Sequence, residues 1–357
     1  MSTDSGEISI DLLEAAAAAP YAPPPKPNWT SAHQVVAGFV GAETLGRDLD
    51  RVEESLRGAF DGASAMFADA MRAVAVPGKR LRPLLTLACG YARSGGGPVG
   101  ERVIKAAAAV ELLHLGSLVH DDVMDEAAVR HGVPSVNESW GNLTAVLVGD
   151  VLISESLDMA ADLGTQQAKL LTGTLRTLCD GQARETASQY RIDRDEQAYL
   201  SSIAGKTARL IAASCRLGAI ETGLSRQAAD ALESFGHHLG MAFQIVDDVL
   251  DLTATSEQLG KPAGNDIAQG VYALPVIHAI RHTPSLVDYL GRVPTERELD
   301  GALQLVRGGA GIALAGQLAE RHTQSACQAV ESCAGELDTA AGAMLRALAM
   351  GVLERRR

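Results

Sequence analysis

From about Ala32 onward, apolar residues recur at intervals of three or four, as at Leu45, Leu49, Val52 and Leu56. This is the spacing of one face of an α-helix. Strictly alternating runs, which would indicate strands, are almost absent, and the helix-favouring residues Ala, Leu, Glu, Arg and Gln are common. The pattern therefore predicts an all-α protein.

Proline and glycine interrupt this pattern and predict helix ends at residues 77–78, 95–98, 132–134, 260–264 and 292–294. One segment, from Val103 to Leu118, is apolar almost all round, which is typical of a helix at the centre of a large bundle or at an oligomer interface. No glycine-rich loop follows a predicted strand, so a Rossmann or P-loop fold is excluded. We expect a single large helical bundle.

Residues 1–28 differ from the rest because five prolines fall between Pro20 and Pro27. Such a segment cannot form a helix or a central strand and favours an extended conformation. The sequence predicts a disordered proline-rich tail at 1–28 and one helical domain at 29–357. A ligand for an SH3-type domain is the alternative interpretation of the tail.

The composition narrows the class of protein. The chain has 357 residues, 46% of them hydrophobic and 21% charged, which is too apolar for a disordered protein. Its net charge of −13 argues against a nucleic-acid partner held by bulk electrostatics. An acidic N-terminus unlike a signal peptide, and no run of about eighteen uncharged apolar residues, predict no stable membrane anchor. Five scattered cysteines indicate a reducing compartment, which we take to be the cytoplasm.

An apolar helical segment ends in the acidic string Asp121-Asp122-Val-Met-Asp125. Asp121 and Asp125 are one helical turn apart and therefore share a face. His114 lies close to two turns earlier and can point to the same side. Three carboxylates at the end of a buried helix repel each other unless a positive charge stands nearby.

A second apolar stretch ends in the same pattern, Asp247-Asp248-Val-Leu-Asp251. One such string is commonly an exposed acidic helix end, but two copies on buried helices make a shared site the better interpretation. Hard divalent cations bind carboxylate oxygens, and Mg²⁺ commonly completes its octahedron with water and phosphate oxygens. The two strings therefore predict a Mg²⁺-diphosphate site.

Basic residues stand in separate groups. A Pro-Gly turn is followed by Lys79, Arg80 and Arg82. Further cations lie at Arg130, Lys206 and Lys261. Arginine suits bidentate contacts with phosphate, and lysine suits a point contact. Two acidic and several basic groups can together hold two diphosphates, one through metal ions and one directly.

In this order along the chain, the motifs resemble those of the trans-isoprenyl diphosphate synthases of the polyprenyl synthetase family, from Gly78 to the C-terminus. Besides the strings above, the resemblance rests on Arg130 with Gly132, Gly149-Asp150, Gly181-Gln182, Lys206-Thr207-Ala208, Phe243-Gln244 and Gly260-Lys261-Pro262. The resemblance implies a bundle of antiparallel helices around a deep central cavity, usually in a homodimer. It also implies condensation of isopentenyl diphosphate with an allylic diphosphate to a trans-polyprenyl diphosphate.

The resemblance assigns roles to individual residues. The catalytic residues would be Asp121, Asp122, Asp125, Asp247, Asp248, Asp251 and Lys206. Three Mg²⁺ ions are expected with substrate bound, on Asp121, Asp125 and Asp247, with Asp248 and Asp251 acting mainly through water. The allylic diphosphate would contact Arg130, Lys206, Thr207, Gln244 and Lys261. The isopentenyl diphosphate pocket would comprise Lys79, Arg82, His114 and His131.

Product length is expected to depend on residues below the first acidic string. Gly116 and Ser117 lie about 7 Å deeper along the helix, at a rise of about 1.5 Å per residue. Family members with shorter products often carry a large aromatic residue there. The small residues predict an open tunnel and a product longer than geranylgeranyl, with Leu113 and Val110 as the next barriers. Close helix packing is the alternative explanation of the small residues.

Two departures from the family pattern predict weaker substrate binding. His131 stands where the family usually has a second arginine. The segment Gly270–Pro275 has Val271 and Ala273 in place of the Lys and Thr of Gly-Lys-x-Thr-x-Pro, which removes one expected phosphate contact. Since both acidic strings are complete, we expect a raised KM rather than loss of activity.

Three other functions share part of this sequence pattern. A class I terpene cyclase shares the fold, but its second metal motif normally carries Asn/Asp, Ser/Thr and Glu. A non-catalytic partner subunit typically loses aspartates that this chain retains. A farnesyl or geranylgeranyl diphosphate synthase is the alternative if the tunnel closes deeper.

Overall fold

The computed structural model of the chain describes residues 30–75, 78–93, 95–130, 132–254 and 263–354. The predicted tail at 1–28, the position of His131, the segment with Lys261 and the last three residues lie outside this part of the chain. The prediction of an all-α fold is confirmed, since helices account for nearly all regular structure in the described residues.

The helices, numbered in chain order, are α1 (Ser31–Val40), α2 (Ala42–Gly62), α3 (Ala65–Val74), α4 (Leu81–Tyr91), α5 (Glu101–Met124), α6 (Val136–Leu163), α7 (Thr165–Ala187), α8 (Glu196–Ile203), α9 (Arg209–Glu221), α10 (Arg226–Thr253), α11 (Asn265–Ala268), α12 (Leu274–His282), α13 (Glu296–Arg307), α14 (Gly311–Ser332) and α15 (Thr339–Glu354). A π-helical segment (Ala204–Ala208) joins α8 to α9, and a 3₁₀ helix (Pro284–Tyr289) follows α12. The predicted break at 95–98 separates α4 from α5, and the break at 292–294 precedes α13.

Serine or threonine side chains define where three of these helices begin. Ser135, Ser225 and Thr295 each accept a hydrogen bond from a backbone N–H in the first turn of α6, α10 and α13. These bonds satisfy donors that have no partner within the helix. Gly141 interrupts α6 with a φ of 82°, so the first turn of that helix is bent away from the rest.

Helix α5 lies at the centre of the fold. It packs most extensively against α6 and also against α2, α4 and α9, and most of its residues from Val103 to Val119 are buried. By length and composition it is apolar enough to span a membrane, although Lys105 and Glu111 interrupt its apolar run, and 72% of the stretch is buried inside the protein. Burial by neighbouring helices accounts for its apolar surface.

Two clusters of buried apolar side chains fill the interior. The larger draws on helices from α1 to α15. The second lies between α5, α6, α7 and α9 and contains Val110, Leu113, Leu171, Leu178 and Leu210. We call it the lower cluster, because its α5 members precede the acidic end of that helix.

After α5, a two-residue strand β1 (Val129–Arg130) pairs antiparallel with β2 (Val133–Pro134). The prediction of a break at 132–134 agrees with this hairpin, and Gly132 has the left-handed φ of 81° that favours glycine in a tight turn. The hairpin turns the chain back, so that Arg130 returns toward the end of α5.

Candidate active site

The acidic ends of α5 and α10 share one cavity of about 360 Å³. Asp125 lines it from α5 and Asp248 from α10. Lys206 and Thr207 line it from the π-helical segment, and Glu185 lines it from α7. Residues more than 120 positions apart in the chain therefore meet at a single polar hollow.

The end of α5 places two carboxylates in a largely desolvated environment. Burial raises the pKa of Asp121 to about 6; Lys206 opposes this shift, while the neighbouring Asp125 adds to it. Burial likewise raises the pKa of Asp125, which directly follows the last helical residue. Desolvated like charges disfavour the ionised forms. At this end of the cavity, burial outweighs the nearby positive charges of Lys206 and Arg130 in setting the pKa of the two carboxyl groups.

Asp122, the middle residue of the first string, is 1% exposed. Its Oδ1 accepts a hydrogen bond from Arg130 Nε at 2.6 Å. The ion pair fixes the hairpin to the end of α5 and holds the guanidinium beside Asp121 and Asp125. Asp122 therefore positions Arg130, whereas the sequence assigned it the same catalytic role as its neighbours.

The second string forms a hydrogen-bonded chain. Asp248 accepts bonds from the Tyr199 hydroxyl at 2.6 Å and from Gln244 Nε2 at 2.8 Å, and Gln244 Oε1 accepts one from the Thr207 hydroxyl at 2.8 Å. Burial raises the pKa of Asp248 to about 7, although these two hydrogen bonds favour the carboxylate, and Asp247 adds to the rise. The sequence had named Gln244 and Thr207 as ligand contacts. In the structure Gln244 bonds Asp248 directly and Thr207 holds Gln244, while their contacts with a ligand stay a prediction.

Asp251 ends the second string and is 2% exposed. Its Oδ2 accepts a hydrogen bond from the Asp266 backbone N–H at 3.2 Å, and its carbonyl accepts one from Gly264 at 2.8 Å. Asp251 thereby ties the start of α11 to α10. This contact is a structural role that the sequence did not predict.

Close backbone contact brings Lys206 to the cavity. A Cβ on Gly181 would lie 2.6 Å from the Lys206 backbone nitrogen, and one on Gly205 would lie 3.0 Å from Gly181 Cα. Glycine at both positions lets α7 and the π-helical segment touch. Short π-helical segments often occur at functional sites. Lys206 Nζ donates to Glu185 at 2.5 Å. Burial lowers the pKa of this lysine, but Glu185, Asp121 and Asp125 together outweigh burial and raise it.

Comparison with known proteins identifies this arrangement. A family model described as Polyprenyl synthetase matches residues 64–304. The chain belongs to the polyprenyl synthetase family. The predicted family and the predicted enzyme class, a trans-prenyltransferase, are confirmed.

Three relatives illustrate the similarity. The chain is 43% identical over 238 residues to heptaprenyl diphosphate synthase component 2 of Geobacillus stearothermophilus, covering 66% of this chain and 73% of that protein. It is 36% identical over 293 residues to nonaprenyl diphosphate synthase of Mycobacterium tuberculosis, covering 79% and 87%. A crystal structure of polyprenyl synthase from Caulobacter crescentus, complexed with calcium and isoprenyl diphosphate, superposes with a TM-score of 0.80 at 28% identity, covering 92% and 99%.

The donor set fits a hard divalent cation of the kind this family uses. The side chains at the two acidic ends offer carboxylate oxygens, which Mg²⁺ and Ca²⁺ prefer. Burial raises the pKa of Asp121 and Asp248, and a bound cation would favour their ionised forms. Within the described residues, no three acidic, His or Cys side chains converge closely enough to hold an ion by themselves. Water and diphosphate oxygens would therefore complete the coordination.

Three of the residues assigned to isopentenyl diphosphate, Lys79, Arg82 and His114, do not line this cavity. Lys79 is exposed and His114 is half-buried on α5. Arg82 is half-buried, and its Nε has no hydrogen-bond partner among the described residues, as suits a side chain that awaits an anion. His131 and Lys261, assigned to the two diphosphates, lie outside the described residues.

Arg80, between Lys79 and Arg82, belongs to the core. Its guanidinium bonds Glu53 at 2.5 Å and Glu111 at 3.0 Å, and its φ of 44° is left-handed. The fully bonded Arg80 fixes the turn that begins α4 and so positions both flanking cations. The sequence pattern alone does not distinguish this arginine from Arg82.

The residues expected to control product length lie in two environments. Gly116 packs against α6: a Cβ there would lie 2.8 Å from the Ile153 side chain and 3.0 Å from the Gly149 carbonyl oxygen. Close helix packing, the alternative explanation, therefore accounts for Gly116. Ser117 is half-buried, and its hydroxyl donates to the His114 carbonyl at 2.7 Å.

Val110 and Leu113 are fully buried in the lower cluster. Apolar side chains thus occupy the interior beneath the acidic end of α5. This agrees with their expected place as barriers below Ser117, although their effect on product length stays a prediction.

Sequence reasoning missed several residues that line the cavity: Glu185, Tyr190, Arg194, Tyr199 and Asp266. They stand on α7, on α8, on the segment between these helices and on α11, outside the motifs that carry the resemblance. Glu185 alone had a signal, because it follows Gly181-Gln182 by one helical turn.

Proposed function

We propose that the protein is a Mg²⁺-dependent trans-prenyltransferase that condenses isopentenyl diphosphate with an allylic diphosphate to give a polyprenyl diphosphate longer than geranylgeranyl. The observation that carries this function is that Asp125, Asp248 and Lys206 line one cavity from three helical elements. The names of the curated relatives, heptaprenyl and nonaprenyl diphosphate synthases, support a long product.

The residues suit cleavage of an allylic C–O bond. Bound Mg²⁺ would supply Lewis-acid stabilisation of the leaving diphosphate. Lys206 and Arg130 would stabilise the same developing negative charge in a preorganised site. The double bond of isopentenyl diphosphate then forms the new C–C bond, and the condensed product loses a proton to the departing diphosphate. The apolar lower cluster would exclude the water that captures an allylic cation.

We also propose a partner subunit and a cytoplasmic location. Helix α6 exposes Leu143 (73%), Val146 (40%) and Leu147 (40%), which lie at helical spacing on one face and support a second subunit packed there. A homodimer is the simplest form. The word "component" in a relative's name makes a different subunit the alternative, and light scattering on the purified protein separates the two. All five cysteines are free thiols, which supports a reducing compartment.

Product analysis tests the activity. Purified protein is incubated with Mg²⁺, labelled isopentenyl diphosphate and each of several allylic primers, and the dephosphorylated products are sized. We expect labelled chains longer than twenty carbons. A ceiling at fifteen or twenty carbons would replace the long-chain proposal with a farnesyl or geranylgeranyl synthase. Hydrocarbons formed without label would instead favour a cyclase.

Substitutions on α5 test the control of product length. We expect Ser117→Phe to shorten the product, because the ring would block the space below Asp121, and Leu113→Ala to lengthen it. Gly116→Ala is the packing control: it should lower the melting temperature without changing the product distribution. An unchanged distribution in both Ser117→Phe and Leu113→Ala would refute the tunnel.

A further inference from the structure

One wall of the cavity lacks the cation that the family pattern places there. Val271 and Ala273, which replace the Lys and Thr of Gly-Lys-x-Thr-x-Pro, both line the cavity. Their apolar side chains give no hydrogen bond to an anion. The diphosphate would therefore have one contact fewer on this side, unless another element supplies a donor.

Arg194 lies against this same wall. It belongs to the segment between α7 and α8, lines the cavity and is 7% exposed. Its Nη1 donates to the Tyr272 carbonyl at 3.2 Å, so its guanidinium lies beside the peptide that joins Tyr272 to Ala273. Its central carbon is 5.7 Å from the centre of the Tyr199 ring. A different element thus brings a cation to the place where the motif has lost one.

The charge of Arg194 has little local compensation. Its Nε is buried without a hydrogen-bond partner, and no salt bridge joins it to a carboxylate within the described part of the chain. By contrast, Arg130 is bonded to Asp122 and Lys206 to Glu185. Burial lowers the pKa of Arg194, with Glu185 and Asp248 acting in the opposite direction from a distance. A buried, under-bonded guanidinium at a cavity wall is costly unless an anion binds it.

We propose that Arg194 binds the diphosphate of the allylic substrate and takes over the contact that Val271 cannot make. The inference rests on the proposed function and adds one substrate-binding residue to it. The planar guanidinium has a free Nε–H and further N–H groups, which can form paired hydrogen bonds to a phosphate. A purely structural role, holding the Tyr272 carbonyl and the Tyr199 ring, is the competing explanation.

The first test uses Arg194→Gln, a neutral side chain that can still donate to the Tyr272 carbonyl. Loss of a charge-assisted hydrogen bond should raise the KM for the allylic diphosphate by about 10- to 100-fold. The KM for isopentenyl diphosphate should stay within about twofold. Calorimetric titration with inorganic pyrophosphate and Mg²⁺ should show the same loss of affinity. Wild-type affinity in Arg194→Gln would overturn the proposal.

Arg191→Gln is the matched control. Arg191 stands on the same segment but is exposed and bonded to Asp193 at 2.7 and 2.9 Å. Its substitution should leave pyrophosphate affinity within about twofold of wild type. An equal loss in both variants would mean that general positive charge on this segment, rather than Arg194 itself, attracts the anion, and would overturn the proposal.

Moving the charge gives the sharpest test. In Arg194→Gln/Val271→Lys, the lysine restores a cation on the same wall, so pyrophosphate affinity should recover to within about fivefold of wild type. A structural role predicts no recovery. If Arg194→Gln does not fold, Arg194→Lys replaces it, with an expected loss of about three- to tenfold because the paired geometry is gone; unchanged affinity would overturn the proposal.

The proposed function and the Arg194 contact can be tested independently of each other. Pyrophosphate titration reports on Arg194 without any turnover. If the wild-type protein binds pyrophosphate through Arg194 but elongates no primer, the proposed function fails and the anion contact stands. If the protein elongates primers and Arg194→Gln is unchanged in KM and in titration, the proposed function stands and this inference fails.

Discussion

The two acidic helix ends carry the same five-residue pattern but use it differently. In α5, Asp121 and Asp125 present desolvated carboxylates and Asp122 is turned inward to Arg130. In α10, Asp248 lines the cavity and is held by Tyr199 and Gln244.

The end of each helix explains the difference. Asp125 directly follows the last residue of α5, so the chain leaves the helix there and the hairpin brings Arg130 back to Asp122. The second string lies inside α10, which continues to Thr253, and its last aspartate therefore packs against the following segment. Two strings with the same aspartate pattern make different contacts because different elements cover them.

Substitution of Asp121 should have the largest effect. Asp121→Asn removes a charge that would bind cations at the α5 end, so we expect kcat to fall by about a thousandfold. The melting temperature of the metal-free protein should hold or rise, since a desolvated carboxylate becomes neutral. Asp158→Asn, on the exposed face of α6, is the control with no expected change in kcat. Near-normal turnover in Asp121→Asn would refute the metal assignment at this end.

Asp122→Asn should have an intermediate effect. It weakens the 2.6 Å bond to Arg130, so the guanidinium is held less firmly, and we expect kcat/KM for the allylic diphosphate to fall by about tenfold. Steady-state kinetics beside Asp121→Asn measure the contrast. If the two variants lose equal activity, the two aspartates act alike and the proposed division of roles is wrong.

In the second string, substitution of Asp251 should lower the stability of the protein more than its activity. Asp251→Ala leaves the Asp266 N–H without its acceptor, which costs about 1–3 kcal/mol of unfolding free energy. Asp251→Asn retains an acceptor oxygen and should recover most of that loss while keeping kcat within about fivefold. Urea unfolding and kinetics check both. A collapse of kcat in a stable Asp251→Asn protein would give Asp251 a direct catalytic role.

The smallest expected effect is on pH dependence. Folding raises the pKa of Asp121 to about 6 and of Asp248 to about 7, against an ordinary value near 4. The folded state then binds more protons than the unfolded state between about pH 4 and 7, so these two groups lower stability as the pH rises through that window. Melting temperatures of wild type and of Asp121→Asn/Asp248→Asn are measured without Mg²⁺. The melting temperature of the variant minus that of wild type should increase as the pH is raised from 4.5 to 7.5. A constant difference would contradict both shifts.

Much of the site could be predicted because many of its residues lie in short sequence motifs. Helical periodicity predicts the bundle, and the aspartate spacing predicts which carboxylates share a helix face. Lys206, Thr207 and Gln244 belong to family motifs, and the structure places all three at the cavity that Asp125 and Asp248 line. Their individual roles stay predictions.

For other residues, no sequence motif indicates their place in the structure. Arg194 stands alone in a connecting segment, and only its approach to Tyr272 brings it to the cavity. The sequence leaves open whether the small Gly116 keeps a tunnel open or lets two helices pack closely. The structure favours packing, because a Cβ at this position would lie 2.8 Å from the Ile153 side chain on α6. Arg80 and Arg82 are two positions apart, yet one is saturated by Glu53 and Glu111 and the other keeps an unbonded Nε.

The sequence by itself determined the helical class, the family and the paired acidic ends, because periodicity, family motifs and carboxylate spacing are local properties of the chain. The tertiary structure alone decided which aspartates face the cavity, which are bonded inward, and which distant arginine stands at the wall that Val271 leaves apolar. Burial and charge pairing depend on what packs against a residue, and in a helical bundle those neighbours come from parts of the chain that no local pattern connects.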